Sequence, residues 1–216
     1  MTPAWLSTTP FAVVDLETTG PEPETARIVQ VGVLQVDFGL VTGAWSALVN
    51  PGEPIPAEAS EVHGITDEHV RGAPDWAATA PAFMRLIRGR GLVGYNAIRY
   101  DWPILLRQLA EVGIETQQRG VLDVMVTMKH LDRYVAGKGR HRLSAAAERW
   151  GVQAEQAHDA LGDCKTTWAL LRALLESGKV PATANPQRFV DWIACAAAEQ
   201  AADFRAWLAR QESMTR

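Results

Sequence analysis

Three strand-like runs, joined by links too short to hold a crossover helix, constrain this chain more than any other feature. Phe11 to Val14 is apolar and partly β-branched; it passes into Asp15, Leu16 and Glu17 before Thr18, Thr19, Gly20 and Pro21 turn the chain. Arg27 to Asp37 sets Ile28, Gln30, Gly32, Leu34 and Val36 against Val29, Val31, Val33 and Gln35, the period of a strand with at least one buried face. Gly39 and Gly43 bracket the next connection, and Trp45 to Val49 supplies a third strand. Strands linked this closely pair as an antiparallel meander. Leu92 with Val93, and Gly120 to Asp123, read as a fourth and a fifth strand among helical runs.

A chain of 216 residues, 47% hydrophobic and 21% charged, buries a real core and fits one domain with an appendage. No apolar run reaches membrane-spanning length, and Met1 to Pro10 lacks the basic start and apolar stretch of a signal peptide or anchor. Cys164 and Cys195 are isolated, so neither zinc nor redox spacing is present and a reducing cytoplasm is the expected location. A net charge of −4 gives nucleic acid no general invitation, although a local basic patch would still bind phosphate.

Side chains alternate along a strand, so Asp15 and Glu17 project from one face, roughly 7 Å apart, while Leu16 turns to the core. An acidic strand end is the plain reading; a divalent-metal site needs further carboxylates from elsewhere. Asp101 precedes a helix from Trp102 to Val112 and reads most simply as its N-cap. Asp123 ends the fifth strand and caps a helix from Val124 to Tyr134, with a place behind a site as the alternative. His158 lies just before a helix whose apolar stripe is Leu161, Cys164, Trp168, Leu171 and Leu175; Asp159 is its natural cap and Asp163 lies in its first turn. For His158 and Asp163 to reach one point, the histidine must stay in the loop.

Elsewhere, Asn50 to Pro56 is a loop, Thr66 caps a short turn through His69, and His63 takes a structural role. Thr79 with Pro81 opens a helix ending at Gly89, and Leu143 to Trp150 forms another. Lys129 to Arg142 is the most basic segment, carrying Lys129, Arg133, Lys138, Arg140 and Arg142. It is either a solvated face or a guide for a phosphate backbone. Ser177 to Gln187 reads as a linker. Phe189 to Arg210 is a final helix with Phe189, Ile193, Ala196, Phe204 and Trp207 on one side, packing back on the domain or docking a partner.

Taken in order and spacing, DLETTG, GYNAIRYD and HDALGD resemble the three motifs of the DEDDh branch of 3′–5′ exonucleases, the superfamily of the DNA polymerase III proofreading subunit. The likeness covers roughly residues 10 to 175, and NPGEPIP and VHGITDE share it. The step from Asn96 to Asp101, through Arg99 and Tyr100, looks more like bacterial exonuclease I than the proofreading subunit.

The resemblance implies an α/β, ribonuclease H-like fold: a five-stranded mixed sheet in the order 3-2-1-4-5, flanked by helices. Residues 1–176 would form the exonuclease domain, and 177–216 a linker and C-terminal helical extension. It implies hydrolysis of the terminal phosphodiester at a nucleic-acid 3′ end, with release of nucleoside 5′-monophosphates. Asp15 would bridge two Mg²⁺ or Mn²⁺ ions, Glu17 and Asp163 would complete the site of one, and Asp101 would hold the other partly through water. His158 would take a proton from the attacking water. Leu16 and Thr18 would contact the terminal nucleotide, and Asn96, grouped with them, would pin the loop carrying Asp101. Single-stranded DNA is the favoured partner, with RNA open and no membrane involved; the C-terminal helix leaves room for a protein partner. The alternatives are a proofreading or repair subunit, an exoribonuclease, and a catalytically silent nucleic-acid-binding module.

Overall fold

Phe11–Thr18 (β1) runs antiparallel to Ile28–Asp37 (β2), with Asp15 opposite Gly32 and Glu17 opposite Gln30. Past that pair the register shifts so that Thr18 faces Ile28 and Val29 is skipped. The skipped residue is fully buried with Ile55, Ile65 and Val70 in a small separate core beside the end of β1. Phe38 and Gly39, both at positive φ (55° and 77°), turn the chain into Leu40–Leu48 (β3), antiparallel to β2. Two successive left-handed residues match the twist of a hairpin, and glycine takes one of those positions without strain.

The third strand therefore starts at Leu40 rather than Trp45, and Gly43 lies within it opposite Gln35 rather than in a connection. Its alternation is weak because it is an edge strand with Leu40 and Val41 exposed. Gly91–Gly94 (β4) runs parallel to β1, and Val121–Asp123 (β5) parallel to β4. The sheet order is β3-β2-β1-β4-β5, the ribonuclease H-like order that the motifs imply. The computed structural model describes residues 3–116, 120–132, 135, 137, 139–155, 158–180 and 185–214, with backbone alone at 204, 207–209 and 211–214.

After a short 3-10 turn at Ala4–Ser7, eight α-helices are described: α1 (Ala57–His63), α2 (Asp67–Val70), α3 (Trp76–Ile87), α4 (Asp101–Glu111), α5 (Val124–Leu131), α6 (Leu143–Arg149), α7 (Ala160–Glu176) and α8 (Pro186–Met214). The run 57–63 gives no expectation of a helix, yet α1 forms there and ends at Gly64 in the left-handed conformation. α3 begins at Trp76, ahead of the expected Thr79–Pro81, because Asp75 caps it by accepting from the Ala78 N–H at 2.8 Å. Pro81 sits inside the helix, where it forgoes one backbone bond. α5 ends at Leu131; Arg133, Tyr134 and Lys138, like the side chains of Phe204 and Trp207, lie outside the described residues.

Helices cover both sheet faces. Phe11, Val13 and Leu34 pack with Trp168, Leu171, Phe189 and Ile193 on the side of α7 and α8. Val14, Leu16 and Val33 pack with Phe83, Ile104 and Leu105 on the side of α3 and α4. Each such fully buried side chain contributes about 1.5–3 kcal/mol. The start of α8 packs back on the domain, as the sequence suggests.

Candidate active site

Alternation on β1 places Asp15 and Glu17 on the face that Phe11 and Val13 fill lower down, towards α7, while Leu16 is buried on the opposite face. What brings α7 to them is a close approach at Gly32, the residue opposite Asp15. A Cβ there would lie 2.6 Å from the Ala160 carbonyl carbon and 2.8 Å from Leu161 N. The neighbouring face residue of β2, Gln30, clasps the helix start: its Oε1 accepts from Ala160 N and its Nε2 donates to Asp159 Oδ1, both at 3.2 Å. Asp159 caps α7 by accepting from Gly162 N at 3.0 Å. Asp163 therefore stands in the first turn against β1, and His158 stays exposed in the loop ahead of it at φ 62°. Glu17, His158 and Asp163 each place one donor atom within 4.8 Å of the other two.

Asp101 arrives from the far side of β1. It is not the N-cap of α4, as expected, but its first residue; Tyr100 holds the cap position without a capping bond. The Asp101 carboxylate instead accepts from the Leu16 N–H at 3.2 Å, 5% exposed, because that buried N–H of β1 needs an acceptor. The loop before it is fixed twice. Asn96 adopts φ 62°, and its carbonyl accepts from Arg99 N and Tyr100 N. Asp123, fully buried, accepts from Asn96 N and Ile98 N as well as from Met125 N and Val126 N. It thus caps α5 and also secures the loop carrying Asp101.

The carboxylates repel one another. Burial, then Asp101, Asp163, Glu17 and Asp159 in turn, raise Asp15 well above the usual carboxylate range. Burial, and after it Asp163 and Asp101, push Glu17 up to about 8. Burial takes Asp101 to about 7 against the N–H groups that bond it. Asp163 is also raised by burial, less so because the His158 main chain bonds it. Hard oxygen donors held this close, and held against their own charge, fit divalent cations.

Two cavities flank the cluster. One, of about 680 Å³, is mostly apolar and lined by Leu16, Glu17, Thr18, Pro56, His63 and Tyr100. The other, of about 600 Å³, is lined by Asn96, Arg142, His158 and Asp163 among others. The exposed Val62 of α1 borders both. His63 has the structural role expected of it: Ile65 N donates to its Nδ1 at 3.0 Å, so its Nε2 carries the proton and donates to the Thr18 carbonyl at 3.2 Å. Tyr100 closes the same wall, its hydroxyl bonding Thr18 Oγ1 and donating to the Gly20 carbonyl at 2.5 Å.

Sequence reasoning passes over Gln30, Gly32 and the Tyr100 hydroxyl. A signal exists for the first: an amide amid valines on a buried strand needs a partner, although nothing in the sequence says which. Gln30 lies well over a hundred positions from Asp159.

A mixed sheet of this order with four carboxylates and a histidine gathered at one edge is the architecture of a ribonuclease H-like nuclease. The chain belongs to the Exonuclease family RNase_T, which matches residues 12–171, in its DEDDh-type, DnaQ-like branch. It is 34% identical over 175 residues to the uncharacterized exonuclease CP81 of Escherichia phage 186, covering 76% of this chain and 88% of that protein. It is 29% identical over 167 residues to DNA polymerase III subunit epsilon of Treponema pallidum, covering 76% of each. The fold superposes on E. coli exonuclease I, solved with a dA16 oligonucleotide, with TM-score 0.70 and 20% identity over 86% of this chain and 43% of that one. Three further curated relatives are much longer, and the chain spans 11%, 18% and 23% of them.

Proposed function

We propose that the protein is a divalent-metal-dependent 3′–5′ exonuclease that hydrolyses the terminal phosphodiester of DNA and releases nucleoside 5′-monophosphates. The observation that carries this reading is the convergence of Asp15, Glu17, Asp101, Asp163 and His158 between two cavities. Asp15, Glu17, Asp101 and Asp163 would hold two Mg²⁺ or Mn²⁺ ions, which when bound supply a nucleophile at neutral pH and offset charge on the attacking and leaving oxygens. His158, exposed beside Glu17 and Asp163, takes the proton of the attacking water. The apolar cavity receives the terminal nucleotide, with Leu16 and Thr18 against it. The cavity lined by Asn96 and His158 takes the chain that leads to it.

Residues 1–176 are taken as the catalytic region and 177–216 as its extension, working in the cytoplasm; among the described residues no helix is long and apolar enough to cross a membrane. Single-stranded DNA is the favoured substrate: the matched T. pallidum relative is a DNA polymerase subunit, and E. coli exonuclease I, which shares the fold, was solved with a dA16 oligonucleotide. The first of these likenesses favours a second reading, a proofreading subunit. The described side chains at 202, 203, 205, 206 and 210 of α8 are exposed, which leaves that stretch open to a partner.

The test is a 5′-labelled oligonucleotide with free or blocked 3′ end, as DNA and as RNA, with Mg²⁺, Mn²⁺ or EDTA. The free DNA end should shorten to mononucleotides only with metal. Equal cleavage of the blocked strand overturns the direction, and cleavage in EDTA overturns the metal requirement.

A further inference from the structure

The cavity on the His158 side is lined by Glu61, His158 and Asp163 and also by His141 and Arg142. Two other described arginines have their donors engaged. Arg149 donates to Asp132 and to the Arg140 and Ala145 carbonyls, and Arg107 pairs with Glu111. Arg142 is exposed, and among the described residues its guanidinium has no hydrogen-bond or acidic partner.

Its backbone, by contrast, is fixed. Arg142 N donates to the Gly139 carbonyl at 3.0 Å, and its own carbonyl accepts from Ala146 N at 2.9 Å. The preceding residue is tied on both sides, its carbonyl accepting from the Tyr95 hydroxyl at 2.8 Å and its imidazole bonding the Val135 carbonyl at 3.0 Å. A guanidinium with all its donors free is therefore carried on an anchored segment at the rim of the cavity. Lys129 lies close enough to feel Arg99, and His141 close enough to feel Lys129, so other basic side chains neighbour this segment.

We propose that Arg142 binds a phosphodiester upstream of the one being cut, so that this cavity is a backbone subsite for a polynucleotide and not merely space around the histidine. The inference rests on the exonuclease reading above, in which the chain leaves the acidic cluster through this cavity. A planar fork of donors matches two phosphate oxygens, which a point charge on a lysine does not. Because it touches no acidic residue of the cluster, it adds affinity for the chain without altering the reacting groups.

The full chain and its Arg142→Ala and Arg142→Lys variants are compared on two substrates. One is a single-stranded oligonucleotide; the other is the p-nitrophenyl ester of thymidine 5′-monophosphate, whose one phosphodiester has no nucleotide upstream. For Arg142→Ala the oligonucleotide KM should rise about tenfold, as for a lost charged hydrogen bond, with kcat nearly unchanged. The slope of log(kcat/KM) against log salt should fall by about 0.7, one single-strand phosphate contact. Arg142→Lys should restore the salt slope but only part of the affinity. The aryl ester should lose much less than the oligonucleotide. Equal losses on both substrates, or an unchanged oligonucleotide KM and salt slope, would overturn the assignment. A wild-type protein that cleaves neither substrate would instead defeat the exonuclease reading itself.

Discussion

Gln30 donates from Nε2 to the Asp159 carboxylate at 3.2 Å while accepting from the next main-chain N–H, so one amide grips the start of α7 from a strand far away in sequence. The register makes this consequential, because Gln30 stands opposite Glu17 and Gly32 opposite Asp15. Any slip of α7 would carry His158 and Asp163 away from β1. Gln30→Glu should set two carboxylates against each other and lower kcat/KM by about 10- to 100-fold, the loss expected for a charged hydrogen bond. Asp159→Asn combined with it should recover most of that loss, since the amide introduced there would donate to the new carboxylate and still accept from Gly162 N. A double-mutant cycle measures the coupling. Additive losses would mean that the clasp does not set the helix position.

Tyr100 offers a separate test of the cavity proposed to receive the terminal nucleotide. Its hydroxyl, half-buried beside Thr18 and the Gly20 carbonyl, fixes the cavity wall but reaches none of the carboxylates by hydrogen bond among the described residues. Tyr100→Phe should cost about 1 kcal/mol of stability, one hydrogen bond. It should raise the oligonucleotide KM several-fold while kcat changes less. Steady-state kinetics distinguishes the outcomes; a kcat loss with KM unchanged would place the hydroxyl in the chemistry instead.

The acidic cluster should make metal-free stability depend on pH. Glu17 and Asp101 titrate near 8 and 7 in the fold, for burial and like-charge reasons, but near 4 in an unfolded chain. Between those limits the native state binds more protons, so stability falls as pH rises from about 4 to about 8. Divalent cation should offset the loss, and most strongly where the carboxylates are ionised. Thermal unfolding in EDTA and in Mg²⁺ or Mn²⁺ should show a metal-induced rise in Tm that is larger near pH 8 than near pH 5. A metal effect independent of pH would argue that these carboxylates are not the ligands.

How much of this was legible beforehand differs by residue. Alternation on β1 and β2 reveals the central pair, and with it the shared face of Asp15 and Glu17. The helical stripe after Asp159 reveals α7 and keeps His158 in the loop. Local rules misread Asp101 as a cap, because the acceptor that β1 needs at Leu16 is a tertiary demand with no local trace. They missed the helical start at Trp76, since Pro81 resembles an opening residue while Asp75 does the capping. They also missed Gln30, Gly32 and the Tyr100 hydroxyl, whose partners lie across the fold. Periodicity reports which face a residue takes, not which distant backbone comes to meet it.

His158 gives the sharpest separation of proton transfer from metal holding. Its imidazole lies within reach of Glu17 and Asp163, but it is exposed, and its left-handed backbone at φ 62° supports Asp163 through the main chain. Alanine there would remove the imidazole and also strain the turn, whereas asparagine tolerates that conformation. His158→Asn should therefore lower kcat by about 10²–10⁴, the usual contribution of a general base, while the metal-induced rise in Tm persists. Asp163→Asn, by contrast, should lose both turnover and most of that rise. If His158→Asn turns over normally, another group takes the proton. If it abolishes the metal response together with activity, the imidazole is a ligand, and the division of labour at this site has to be redrawn around Glu17, His158 and Asp163.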